Sequence, residues 1–91
     1  MWYRAPHETE WHTGLSKSVS ETGAVIRADE PDTPPEDLIV AIGLPSASGC
    51  LVGHGRVLRF LNTDDKTAAI TFAVHVSGYR LDQCEEVLRL V

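Results

Sequence analysis

Two segments of this chain place an apolar residue at every second position. Leu38, Val40, Ile42 and Leu44 share one face of an extended segment, and Ile70, Phe72, Val74 and Val76 share one face of another. Successive side chains of a strand point to opposite sides, so this spacing marks half-buried β-strands. Strands of that kind bury one face only, and in 91 residues there is room for one modest core. The whole chain, 1–91, is therefore expected to be a single small domain built around a sheet.

The remaining segments fit the same plan. Strands are expected over 2–4, 10–19, 23–28, 38–44, 50–61 and 67–76. The segment 10–19 carries Trp11, Leu15 and Val19 four residues apart, a helix-like spacing. Its Thr13, Gly14, Ser16 and Ser18 are poor helix formers, so a strand with a kink or bulge at Gly14 is the better reading. Gly53 and Gly55 mark places where backbone passes close or the strand coils. Between strands lie turn-forming runs. Residues 29–37 hold three prolines and five acids and make a solvated loop. Hairpin connections are expected at 45–49 and 62–66.

The period changes at the end of the chain. Leu81, Cys84, Val87, Leu88 and Val91 recur at three- and four-residue spacing, with polar residues between them. That predicts an amphipathic helix over about 80–90. Too short to be stable alone, it must dock on an apolar surface. The expected fold is mainly β: a small six-stranded antiparallel barrel, strands over about 2–76, with a C-terminal α-helix plugging one open end.

Composition narrows the function classes. A net charge of −5 argues against non-specific binding to DNA, RNA or anionic lipid. No apolar run approaches the roughly 18 residues that span a bilayer, so no membrane insertion is expected. The start, Met1-Trp2-Tyr3-Arg4-Ala5-Pro6, lacks the build of a signal peptide, and the expected location is cytoplasmic. Cys50 and Cys84 are too few for a disulfide framework and lack metal-type spacing; both read as small apolar core residues.

The segment Ser18-Val19-Ser20-Glu21-Thr22-Gly23, followed by Ala24-Val25-Ile26, reads as a sharp corner at a glycine between two strands. Its order S-x-S-x-x-G resembles the D/N-x-S-x-x-G signature of the PilZ family, the bacterial cyclic di-GMP receptor domains. Ser20 and Gly23 match the pattern, and Ser18 stands where the family has Asp or Asn. Gly55-Arg56-Val57-Leu58-Arg59 is similar to the family's G-R-V-V-R strand. Residues 69–74 fall where the family has its last barrel strand, and Gly78-Tyr79-Arg80 resembles the tail of divergent members. The resemblance covers roughly 2–80.

The resemblance implies the fold just described and a ligand, cyclic di-GMP, held by Ser18, Ser20 and Gly23 together with arginines. In the family two arginines in an R-x-x-x-R segment upstream of the first strand grip the nucleotide. Guanidinium forks bind phosphate oxygens bidentately and stack on base planes. Here the N-terminal arginine is Arg4, inside the first strand, and Glu8 stands four residues on. Loss of two charge-assisted contacts of roughly 1.5–3 kcal/mol each weakens binding by about two to four decades. The chain is thus expected to be a degenerate PilZ-like domain with weak or no nucleotide binding alone, acting as a protein-interaction module. The alternatives are a receptor completed by an upstream segment or a partner chain, and a purely structural accessory domain.

Other constellations carry less. His7, Glu8, Glu10 and His12 have no standard metal spacing, and neither a metal nor another cofactor is expected. His54 and His75 lie on neighbouring strands and are read as surface or barrel histidines. Ser16, Ser18 and Ser20 alternate on one strand face, without an adjacent base, so no enzyme is expected. Lys17 and Arg27 flank the signature as solvated strand residues. Trp2, Tyr3 and Trp11 are read as packing residues, or else as an aromatic patch for a partner protein.

Overall fold

The computed structural model describes residues 1–29, 33–44, 49–61 and 70–84. It contains six strands: β1 (Trp2–Arg4), β2 (His12–Ser20), β3 (Gly23–Ala28), β4 (Asp37–Gly43), β5 (Gly49–Leu61) and β6 (Thr71–Gln83). All neighbours are antiparallel, and the order β1-β2-β3-β6-β5-β4 closes on itself through β1 and β4. Closure removes the sheet edges, which would otherwise offer unpaired backbone groups. The expected six-stranded antiparallel barrel is what the chain forms.

The barrel interior is filled by the period-two residues. Leu38 and Val40 from β4, Phe72, Val74 and Val76 from β6, and Ala24, Ile26 and Ala28 from β3 are buried together with Tyr3. Tyr3 and Phe72 meet edge to face at 5.6 Å between ring centroids, a favoured aromatic geometry. A second apolar cluster lies on the opposite side of the sheet. Ala41 alternates with Val40 and therefore faces outward, where it packs with Cys50, Val52, Ile39, Trp2, Trp11 and Cys84. Both faces of β4 are apolar because both are covered.

Four expectations are corrected. First, Cys50 and Cys84 are bonded to each other as a disulfide, with Cα atoms 4.9 Å apart. Cys50 pairs with Asp82 across β5 and β6, so Cys84 reaches it from just beyond the end of β6. Second, β6 runs on to Gln83, and Leu81 is a strand residue exposed at 69% rather than the start of a buried helical stripe. Pairing with β5 continues through Gly49↔Gln83 and supplies the backbone partners that a helix would have provided internally. The helix is not shown; Val87, Leu88 and Val91 lie outside the described residues.

Third, the irregularity of β2 is a bulge at Lys17, not at Gly14: the register with β3 steps from Ser16↔Ile26 to Ser18↔Val25. One extra residue flips the strand's facing. Ser16 consequently shares the inward face with Ile26, while Ser18 and Ser20 point outward. The three serines do not share a face. Fourth, Gly23 does not have positive φ, nor does any described residue. An added Cβ there would meet the Val74 carbonyl oxygen at 2.5 Å. The glycine is required by the close approach of β3 to β6, not by a left-handed turn.

The hairpin connections at 45–49 and 62–66 lie largely or wholly outside the described residues. Leu44 N–H donates to the Gly49 carbonyl at 3.1 Å where the first of them closes.

Candidate functional site

The outer surface of the barrel divides into a closed half and an open half. The closed half lies over β1, β4 and the start of β5. Trp2, Trp11 and the Cys50–Cys84 bond cover it. Arg4 belongs to this half. Its Nη1 donates to the carbonyls of Ala5 (3.2 Å), Pro6 (3.2 Å) and Glu8 (2.8 Å). The guanidinium lies over the Trp11 ring, 4.9 Å from its centroid, a cation–π contact. Glu8 closes the same turn from the other side. Its carboxylate accepts the Ala5 N–H at 2.8 Å and contacts His12 Nε2 at 3.0 Å. These two hydrogen bonds, the Ala5 amide first, hold the Glu8 carboxyl below the usual carboxylate range. Arg4 and Glu8 thus fold the turn after β1.

The open half runs over β2, β3, β6 and the far part of β5. One outward row crosses five strands as Ser20, Gly23, His75, Arg56 and Asp37. The next row is Ser18, Val25, Ala73 and Arg59. Ser18, Ser20, His75, Arg56 and Arg59 are all exposed. Gly23 and His75 stand between Ser20 and Arg56, and Val25 and Ala73 between Ser18 and Arg59. The corner itself is latched to β6: Val76 N–H donates to the Thr22 carbonyl at 2.9 Å, and the Tyr79 hydroxyl donates to the Gly23 carbonyl at 3.0 Å. Burial raises the Tyr79 phenol above its ordinary range, which keeps it a donor.

Ser18, Ser20 and Gly23 are therefore brought together, and Arg4 is not brought to them. Tyr3 pairs with His12, so Arg4 lies beyond the start of β2, while Ser18 and Ser20 are six and eight residues into that strand. At about 3.3 Å per residue the separation along the barrel is about 20 Å. Of the flanking cations, Lys17 stands exposed in the bulge and Arg27 is half-buried beside Leu15 and Thr71. The aromatic trio is divided: Tyr3 is inside the barrel, and Trp2 and Trp11 are half-buried in the outer cluster. The large exposed apolar residues are instead Leu15, Val19, Leu58, Phe60 and Leu81.

Two hollows adjoin this surface on β4, β5 and β6. The larger, of 480 Å³, has Pro6, Ile39, Val52, His54, Tyr79 and Arg80 among its lining. The smaller, of 270 Å³, is lined by Asp37, His54, Arg56, His75 and Ser77. Sequence reasoning flagged Gly53 and Gly55 around His54 but did not find the hollows. They arise from a bulge in β6, where Ser77 and Gly78 together oppose His54. A single-strand pattern does not reveal such a bulge. No group of three or more His, Cys, Asp or Glu that could hold a metal ion is present among the described residues.

Comparison of the chain with protein-family models, with curated proteins and with solved structures finds no match.

Proposed function

We propose that this chain is a degenerate PilZ-like domain of bacterial cyclic di-GMP signalling that acts by binding a protein partner and has weak or no affinity for the nucleotide alone. The observation that carries the reading is the state of Arg4. Its guanidinium already serves three backbone carbonyls and an indole ring. It also sits at the far end of β2 from Ser18 and Ser20. The closed antiparallel barrel and the outward Ser20–Gly23 pair support the resemblance from which the reading starts. Exposed Leu15, Leu58 and Phe60 supply apolar surface for a partner. The role is that of a binding module rather than an enzyme.

Calorimetric titration of the 91-residue chain with cyclic di-GMP tests the proposal. The expected affinity is no tighter than the high-micromolar range; submicromolar binding overturns it. A second reading, a receptor completed by an arginine-bearing upstream segment or partner chain, is favoured by one feature. Ser18 and Ser20 are exposed and make no side-chain hydrogen bond among the described residues, so their face is open to an added segment. An R-x-x-x-R peptide that raises nucleotide affinity when mixed with the chain supports that reading over the first.

A cytoplasmic location, the expectation from the N-terminus, stands against the Cys50–Cys84 bond, because cytosolic thiols are kept reduced. Alkylation trapping of the two cysteines in intact cells decides between them: modified thiols favour the cytoplasm, protected ones an oxidising compartment.

A further inference from the structure

The two hollows on β4, β5 and β6 share His54 and Ser77 and so lie side by side in one depressed area of the face. Its shape has a local cause. Between Gly53↔Tyr79 and Gly55↔Val76, β6 has two residues, Ser77 and Gly78, where β5 has His54 alone. A bulge of this kind bends its strand and re-aims side chains, and bulges recur beside binding sites. Gly78 keeps the depression open, since a Cβ built there meets nothing within 4 Å. The larger hollow, at 480 Å³, falls within the size range of small-molecule sites.

Its chemistry is divided along its length. The floor at one end is apolar, from Ile39 and Val52. The other end is lined by His54, Arg56, His75 and Asp37, with the Glu36 carboxylate also within reach of Arg56. Neither imidazole has a side-chain partner among the described residues. Arg56 is held only loosely: its Nε lies 3.8 Å from Asp37 and 3.9 Å from Glu36, with all three side chains more than half exposed. Ion pairs of that length at the surface contribute little, so the guanidinium is available to a better acceptor. A phosphate or carboxylate offers the bidentate geometry that arginine binds best.

We propose that the outer face of β4, β5 and β6 is a binding site for a small aromatic anion. The ring lies over Ile39 and Val52, and the charged group is held by His54, Arg56 and His75. The inference does not depend on the signalling reading, since it uses neither Arg4 nor the signature serines.

Titration of the full chain with phenyl phosphate, followed by amide chemical shifts, tests it. Phenyl phosphate is expected to bind at least about tenfold more tightly than inorganic phosphate, with shifts concentrated at residues 52–56 and 75–80. Arg56→Gln and His75→Gln, each checked for retained strand signal by circular dichroism, should lower affinity by about tenfold or more. Gly78→Val, which fills the depression, should reduce phenyl phosphate binding while leaving inorganic phosphate binding unchanged. Equal affinity for the two probes removes the apolar half of the proposal. Shifts centred on Lys17 or the N-terminus, or binding unaffected by all three variants, overturn it entirely.

Discussion

The two halves of the outer surface are built from the same barrel and differ in what their polar groups are doing. Over β1 and β4, Arg4, Glu8 and His12 are tied into one turn, and a disulfide and two tryptophans cover an apolar cluster. Over β2, β3, β6 and the far part of β5, two serines, a histidine and two arginines stand exposed around a glycine and an alanine. The first half is a second core. In the second half the exposed serine side chains make no hydrogen bond among the described residues. The contrast also explains why an arginine in the N-terminal segment is not by itself a ligand grip: Arg4 Nη1 is committed to three carbonyls and its guanidinium lies over an indole, far from the signature serines.

The largest effect that can break this contrast lies in the closed half. Removing the disulfide by Cys50→Ala with Cys84→Ala should lower stability by about 2–4 kcal/mol, since the bond closes a loop of 34 residues. Denaturant unfolding of oxidised, reduced and doubly substituted chains measures this. Identical midpoints for all three indicate that the outer cluster holds without its covalent tie.

Arg4→Ala comes next. Loss of its charged donor from three carbonyls should cost about 1.5–3 kcal/mol. Glu8 in the same turn gives the effect a pH signature. Its carboxyl is held below its ordinary value in the folded chain, so its contribution is present above the unfolded pKa. That contribution is lost as pH falls through the lower folded value. Stability measured against pH should therefore drop on the acid side, and Glu8→Gln should flatten that limb. A stability profile unchanged by the substitution contradicts the assigned role of the turn.

The open half should respond in one place only. Gly23→Ala forces a Cβ onto the Val74 carbonyl and should cost about 1–3 kcal/mol. An unchanged melting curve shows that β3 and β6 can move apart there. Ser18→Ala and Ser20→Ala, by contrast, should stay within about 0.5 kcal/mol of the parent, as exposed positions without side-chain partners do. A larger loss assigns those serines a structural role.

Much of the barrel is legible in the sequence because alternation is a local signal. Leu38, Val40, Phe72, Val74 and Val76 all declare an inward face, and β1 and β3 begin and end where the pattern places them. What fails is everything that depends on a partner strand. The bulge at Lys17 separates Ser16 from Ser18 and Ser20, yet nothing in the local pattern marks it. Leu81 and Cys84 share a helical spacing with residues further on, but pairing with β5 keeps the chain extended to Gln83. The pairing of Cys50 with Cys84 follows from that register and is not visible in two isolated cysteines. Gly23 shows both outcomes: a glycine is needed where the corner reading puts one, for a reason that only the neighbouring strand supplies.

Within the candidate site the serines and the glycine group as the signature suggests, whereas Arg4 is placed by its own turn, about 20 Å along the barrel. The most direct measurement follows amide chemical shifts of the isolated chain as cyclic di-GMP is added. No saturation is expected below the high-micromolar range, and no movement of Ala5 or Glu8, whose amide and carbonyl stay locked in the Arg4 turn. Saturation at submicromolar nucleotide, with Ser18, Ser20 and the Arg4 turn shifting together, contradicts it.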